Sequence, residues 1–356
     1  MGRYGYYVID ADGHGGDLPN WWERLPSQFR DKWEERRERL RKHFANLPGV
    51  GVRSTKGTAK IDSLERPGMT DPKARLEDMD LEGIDRTVMF PGGAGEEWAG
   101  LDREFAIAVC RTLNDARAEF LKYNPERLMS VAKLPMIDPQ AAAEELRRCV
   151  TQHGMVGMVT PQHIREKNLD DPSFYPIWAE AERLGVAVCV HGGGQALDQV
   201  PIGIDRFKTR LETHAFTHPV GQMLAVMNFT VGGILHKFPN LRVAFLEANV
   251  GWLPFWLERL DEHWELTPEQ APLIDRKPSE YFLSGRCFIG CDPDESTIPA
   301  VVNALGEDVI VYASDYCHWD CRFPDTVKII AERNDLSRSA KEKMLSRNPA
   351  RLYNLN

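Results

Sequence analysis

Eight short apolar runs, rich in β-branched residues and spread along nearly the whole 356-residue chain, constrain what this sequence can fold into. They are Tyr7–Asp10, Arg86–Phe90, Leu128–Leu134, Met155–Val159, Val186–Val190, Arg242–Leu246, Cys287–Ile289 and Val309–Tyr312. Their apolar character is almost continuous, which is what strands covered on both faces of a parallel sheet require. Amphipathic stretches lie between them: Ala74–Leu81, Asp102–Tyr123, Pro139–Thr151, Phe174–Leu184, Pro219–Lys237, Pro254–Trp264, Glu295–Leu305 and Pro324–Arg333. Strands alternating with helices in this way predict an α/β chain folded as a (β/α)8 TIM barrel, a single domain over 1–356. A doubly wound nucleotide fold loses support, since no G-x-G-x-x-G follows the first run and no G-x-x-x-x-G-K-[ST] occurs. The segment 15–70 is far longer than a normal βα connection. It carries Trp21, Trp22 and Trp33, and it is expected either as a lid over the barrel mouth or as a peripheral, dimer-forming appendage.

Charge and cysteine usage exclude several classes. With 44 Lys and Arg against 53 Asp and Glu, the net charge of −9 speaks against a nucleic-acid surface, which needs clustered bases to neutralise phosphate. No apolar stretch approaches the roughly 18 residues that span a bilayer, so no membrane association is expected. Seven cysteines, an odd number lying mostly in apolar runs, suit reduced thiols, not a disulfide framework. Cys317 and Cys321 lack the second pair that a structural zinc would need. The opening residues lack an apolar signal core, and a cytoplasmic location is the expectation.

In a barrel, polar residues at the C-terminal ends of the strands face the active site. Strand one ends in Asp10-Ala-Asp12-Gly-His14, strand five in His191, strand six in Glu247 and strand eight in Asp315. Carboxylates gathered in one pocket repel each other unless a cation offsets them, so Asp12, His14, His191, Glu247 and Asp315 are the expected metal ligands. Asp10, two residues before Asp12, is expected to face the same side as an outer partner or additional ligand. Each residue also has a plainer reading: Asp315 as a helix cap, His191 in a tight turn, Glu247 paired with Arg210 or Arg259. His214 and His218 are candidate ligands or hydrogen-bond partners of ligands, with capping or core packing as the alternative. His318 is a candidate proton shuttle acting with Asp315. Trp98, Phe216, Trp252 and Trp319 are candidate walls of an apolar substrate pocket. His43, His153, His163, His236 and His263 are expected at the surface.

The motifs IDADGH, VHGGG, FPNLRVAFLEANVGWLPFWLERLDEHW, SDYCHWD and NPARLY resemble the amidohydrolase superfamily, in the branch related to aminocarboxymuconate semialdehyde decarboxylase. The resemblance covers nearly the whole chain and implies a distorted barrel of amidohydrolase type, with one or two metals at the strand ends. The family's first-strand H-x-H falls on Asp12 and His14, its fifth-strand histidine on His191, and its eighth-strand aspartate on Asp315. Its sixth-strand histidine falls on Glu247, and strand four has no lysine to carboxylate. Two imidazoles are thus replaced by carboxylates, which favours oxygen-loving metals. That departure is similar to the amidohydrolase-fold non-haem di-iron monooxygenase of platensimycin and platencin biosynthesis. The resemblance implies two Fe ions, O2, an external electron donor and hydroxylation of a bulky hydrophobic diterpenoid acyl substrate, free or as a coenzyme A thioester. The alternative is a metal-dependent hydrolase or non-oxidative decarboxylase using Zn or Mn. A homodimer is expected, as relatives commonly form one.

Overall fold

The computed structural model describes residues 2–45, 66–92, 102–192 and 201–355. Eight strands form one sheet whose neighbours follow chain order. They are β1 (Ile9–His14), β2 (Arg86–Phe90), β3 (Leu128–Lys133), β4 (Gly157–Thr160), β5 (Ala187–Val190), β6 (Arg242–Phe245), β7 (Cys287–Cys291) and β8 (Ile310–Tyr312). Every ladder between them is parallel. The expected barrel is therefore observed. Val88, Val131, Met158, Val188, Val243 and Val311 are fully buried, because helices cover the outside while side chains fill the inside.

Among the described residues, β1 and β8 share no strand ladder; the seam between them is closed by individual bonds. His14 N donates to the Tyr316 carbonyl at 2.7 Å, and Asp315 N donates to the Asp12 carbonyl at 3.0 Å. Strand one also begins and ends later than its apolar run suggests. Tyr7 stays 43 % exposed, whereas the polar residues to His14 are all buried. Those polar side chains find partners or a shared pocket inside the barrel, so polarity does not end the strand there.

The longer helices between these strands are α1 (Ser27–Ala45), α2 (Pro72–Glu82), α3 (Arg103–Leu121), α4 (Pro139–His153), α5 (Tyr175–Leu184) and α6 (Arg210–Phe229). Helix α6 starts nine residues before the expected Pro219. Thr209 and Glu212 form a reciprocal capping box that fixes its start, and Pro219 lies inside it. The expected continuous helix to Lys237 is broken before a short α7 (Ile234–Lys237), whose cap Gly233 is left-handed at φ 78°. Helix α8 (Leu253–Leu266) follows β6.

The described part of the 15–70 segment divides: Met69 packs with Tyr316, Cys317, Cys321 and Phe323 beyond β8, and the Trp-bearing stretch lies against the flank of α3. Trp21, Leu25 and Trp33 pack with Phe105, Val109 and Leu113 in a cluster separate from the main core. Residues 46–65 and Trp98 lie outside the described residues. All seven cysteines are buried thiols, and none is joined in a disulfide. Among the described residues, no helix is long and apolar enough to cross a membrane.

Candidate metal centre

The strand ends bring Asp12, His14, His191, Glu247, Asp315 and His318 together. Two overlapping groups have donor atoms within 4.8 Å of one another: Asp12, His14 and His191, and His14, Glu247, Asp315 and His318. His14 Nε2 is 3.1 Å from Asp315 Oδ1 and 3.9 Å from Asp12 Oδ1. His191 Nε2 is 3.5 Å from Asp12 Oδ2, and its Nδ1 is 3.4 Å from Glu247 Oε2. His318 Nδ1 reaches Asp315 Oδ1 at 2.7 Å and Glu247 Oε1 at 3.3 Å.

Local backbone features aim these groups. A register shift in the β1–β2 ladder lies between Asp10 and Gly13, where the strand bulges. Asp12 and His14 turn into the pocket, while Asp10 turns away from it. Asp10 instead accepts bonds from Ser314 N at 2.9 Å, Ser314 Oγ at 2.8 Å and Thr87 Oγ1 at 2.8 Å. The expectation that Asp10 shares the face of Asp12 is thus corrected, because a bulge breaks the strict alternation on which it rested. Glu247 and Asp315 adopt left-handed backbone at φ 58° and 49°, a conformation that costs about 1–3 kcal/mol for such residues and collects at functional sites. His191 Nδ1 bonds the Gly192 carbonyl at 2.7 Å, which leaves Nε2 free to face Asp12. Gly192 has to lack a side chain: a Cβ there would come within 2.4 Å of the His218 ring and 3.0 Å of Glu247 Oε2.

The electrostatics follow from burial against close partners. Burial opposes charge on His191, but Glu247 and Asp12 outweigh it and push the imidazole up to about 9. Burial also opposes charge on His318, yet Asp315 and Glu247 hold it well above the usual imidazole range. Burial would raise Asp315, but His318 and His14 draw it down to about 2. Glu247 is likewise held well below the carboxylate norm, with His191 and His318 overcoming burial. Burial keeps His14 and His218 below the usual range and takes His214 down to about 3.

Whether these residues suit a divalent ion can be tested on their unsatisfied atoms. Asp12 Oδ1, His14 Nε2, His191 Nε2, Glu247 Oε2 and Asp315 Oδ1 are all buried without a well-formed hydrogen bond. Orphaned polar atoms are rare in folded interiors, and five at one point call for a shared partner. Donors about 2.0–2.2 Å from one ion sit about 3.0–3.6 Å from each other, close to the separations found here. The set fits a metal. His14 Nε2 faces carboxylates of both groups, so the two groups adjoin through it.

The remaining expected residues divide. His218 Nε2 lies 3.6 Å from Glu247 Oε2, and the His214 ring is 4.1 Å from that of His218 and 5.4 Å from Trp319. These three therefore border the centre. Phe216 does not; lying two residues from each of these histidines, it is on the opposite side of α6 and turns onto Phe207 at 5.0 Å. Trp252 Nε1 is spent on the carbonyls of Ala248 and Asn249 in its own turn. Glu247 pairs with histidines and not with Arg210 or Arg259. His163 is buried, bonding the Arg165 carbonyl, against the surface position expected. Thr87 and Arg75 carry no signal in the sequence, whereas Ser314 opens the SDYCHWD motif that carries Asp315.

Comparison with known proteins identifies the relatives. The sequence profile of the family described as Amidohydrolase matches residues 9–355. The 2-amino-3-carboxymuconate-6-semialdehyde decarboxylase of Dictyostelium discoideum is 29 % identical over 286 residues, covering 78 % of this chain and 75 % of that protein. A gamma-resorcylate decarboxylase of Rhodococcus jostii is 28 % identical over 268 residues, 72 % of this chain and 80 % of that one. In fold, the chain resembles 5-carboxyvanillate decarboxylase of Novosphingobium aromaticivorans, solved with manganese and 4-hydroxy-3-methoxy-5-nitrobenzoic acid. That structure has a TM-score of 0.76 at 20 % identity and covers 99 % of this chain and 97 % of its own.

These relatives overturn the oxygenase expectation. They are named as decarboxylases, so the oxidoreductase class, the di-iron chemistry with O2 and an electron donor, and the role in diterpenoid antibiotic biosynthesis are withdrawn in favour of the non-oxidative alternative. Replacing imidazole by carboxylate changes which ion is preferred; it does not by itself bring in redox chemistry. By its matched profile and its barrel, the chain belongs to the amidohydrolase family.

Proposed function

We propose that this chain is a metal-dependent, non-oxidative decarboxylase of a small aromatic or conjugated carboxylic acid. The observation that carries the reading is the convergence of five orphaned donor atoms on one point at the barrel mouth, in a chain whose relatives are named as decarboxylases. Asp12, His14, His191 and Asp315 would hold one divalent ion. Two carboxylates among four donors favour manganese, with zinc as the other candidate. When bound, the ion supplies a fixed positive charge that attracts an anionic substrate and stabilises the charge developing on it.

The chain's own residues manage the proton. His318 Nδ1, 2.7 Å from Asp315 and 3.3 Å from Glu247, carries it at the edge of the centre. Glu247 orients that ring and takes part in returning the proton. Cleavage of the carbon–carbon bond leaves its electron pair on the substrate carbon while CO2 departs. The proton from His318 Nδ1 then replaces CO2 on that carbon, so no oxidant or reductant is consumed. Trp319, against His214, gives a planar substrate an apolar wall.

The test is CO2 release from a panel of ortho-hydroxy and amino-substituted aromatic and muconate-type acids, with manganese-loaded protein and oxygen excluded. Release under argon is expected, with His318→Gln lowering the rate on the order of 10²–10⁴-fold. Turnover that requires O2, or hydrolysis without CO2 release, would overturn the reading.

A further inference from the structure

We propose that Arg75, on α2, is a positioning residue for the metal centre: it clamps the β1–β8 seam on which Asp12, His14 and Asp315 sit. The inference rests on the reading that these residues hold a metal. Arg75 is 61 residues from His14 in sequence and 1 % exposed. Its Nη1 donates to the His14 carbonyl at 2.8 Å, and its Nη2 donates to Thr87 Oγ1 at 3.1 Å. That hydroxyl in turn donates to Asp10 Oδ2 at 2.8 Å, and Arg75 Nη2 lies 3.9 Å from the same oxygen. Asp10 crosses the seam through the Ser314 backbone and hydroxyl. On the far side, the guanidinium lies 3.9 Å from the Tyr316 ring, next in sequence to Asp315. One planar fork thus touches β1 at His14, β2 at Thr87 and the segment that carries Asp315.

Gly13, between the two β1 donors, supports the clamp. A Cβ there would lie 2.5 Å from Asp10 Oδ2, 2.6 Å from Arg75 Nη2 and 2.9 Å from Thr87 Oγ1. The strand leaves out a side chain at Gly13, next to the His14 carbonyl that the fork bonds. A buried guanidinium is a poor way to gain stability, since apolar packing of similar size often does as well. Its place is explained by geometry: among the described residues the seam has no strand ladder, and the fork reinforces the two backbone bonds, His14 N to Tyr316 and Asp315 N to Asp12, that set the spacing of Asp12, His14 and Asp315. Partners that orient metal ligands in this way commonly affect affinity as strongly as some ligands do.

The test uses the full-length chain with Mn2+ as the probe. Arg75→Lys keeps the charge but cannot bond His14 and Thr87 in one plane. Calorimetric titration should show Mn2+ affinity falling roughly 10–100-fold. The EPR spectrum of bound Mn2+ should broaden as the ligand field distorts, with far-UV circular dichroism unchanged. Thr87→Val keeps Arg75 and removes only its bridge to Asp10, and it should shift affinity and spectrum the same way by a smaller factor. Wild-type affinity and an unaltered EPR spectrum in Arg75→Lys would overturn the proposal. If that variant does not fold, the same result in Thr87→Val overturns it. If the wild-type chain itself binds no Mn2+, the metal reading fails and takes this inference with it; wild-type binding with indifferent variants sinks the clamp alone.

Discussion

Asp10 and Asp12 stand two residues apart on β1, and both are buried, at 0 % and 2 % exposure. Their surroundings are opposite. Asp10 receives two hydroxyls and two backbone N–H groups, with the Arg75 guanidinium 3.9 Å away. Asp12 faces two imidazoles, and its Oδ1 is left without a hydrogen bond. A carboxylate whose lone pairs are met by the protein belongs to the scaffold; one whose lone pairs are left open is available to a ligand. The contrast lets two chemically identical residues be assigned different work, and it can be broken by experiment.

The largest effect is expected on the scaffold side. Asp10→Ala strips the buried Arg75 of its carboxylate, and breaking a buried pair costs about 3–5 kcal/mol. Urea unfolding should show that loss, whereas Asp12→Asn should change stability by less than about 1 kcal/mol. Equal losses from both would erase the distinction. On the ligand side, His14→Ala should lower Mn2+ affinity on the order of a hundredfold or more in a titration, while stripping metal with a chelator leaves the circular dichroism intact.

A third carboxylate sharpens the comparison through pH. Glu82 accepts bonds from Thr326 N at 2.5 Å and Val327 N at 3.3 Å, but burial dominates and pushes it up to about 7 from an ordinary 4.5. Its folded state therefore holds a proton that the unfolded chain has released. Between about pH 4.5 and 7 this lowers stability as pH rises, by about 1–3 kcal/mol in total. Glu82→Gln should flatten that part of the stability–pH curve; an unchanged slope would show that Glu82 is ionised throughout. The smallest effect concerns the helix that carries His214 and His218. Thr209→Ala removes a satisfied cap and should cost about 1 kcal/mol in unfolding, with Mn2+ affinity unchanged.

Much of this was legible in the sequence. Continuous apolar runs identify the eight strands because burial on both faces leaves no room for alternation. The residues at their ends identify Asp12, His14, His191, Glu247 and Asp315 because barrel geometry makes those ends converge. Local irregularities were not legible. The bulge in β1 reverses Asp10, and no pattern of residue types reveals where a ladder slips by one position. Arg75 reads as one more charged residue on an amphipathic helix, and only the tertiary fold turns it inward. Pro219 reads as a helix start, yet the capping box at Thr209 and Glu212 starts the helix nine residues earlier, with Pro219 inside it. The choice between oxidative and non-oxidative chemistry was out of reach as well, since the same carboxylates and imidazoles serve both.

The most direct test of the central claim is a stoichiometric titration of the metal-free chain with Mn2+, followed by calorimetry and EPR. One ion per chain, with affinity lowered on the order of a hundredfold or more in His14→Ala and at most weakened in Asp10→Asn, is the predicted result. Two ions per chain, or binding indifferent to His14, would contradict it.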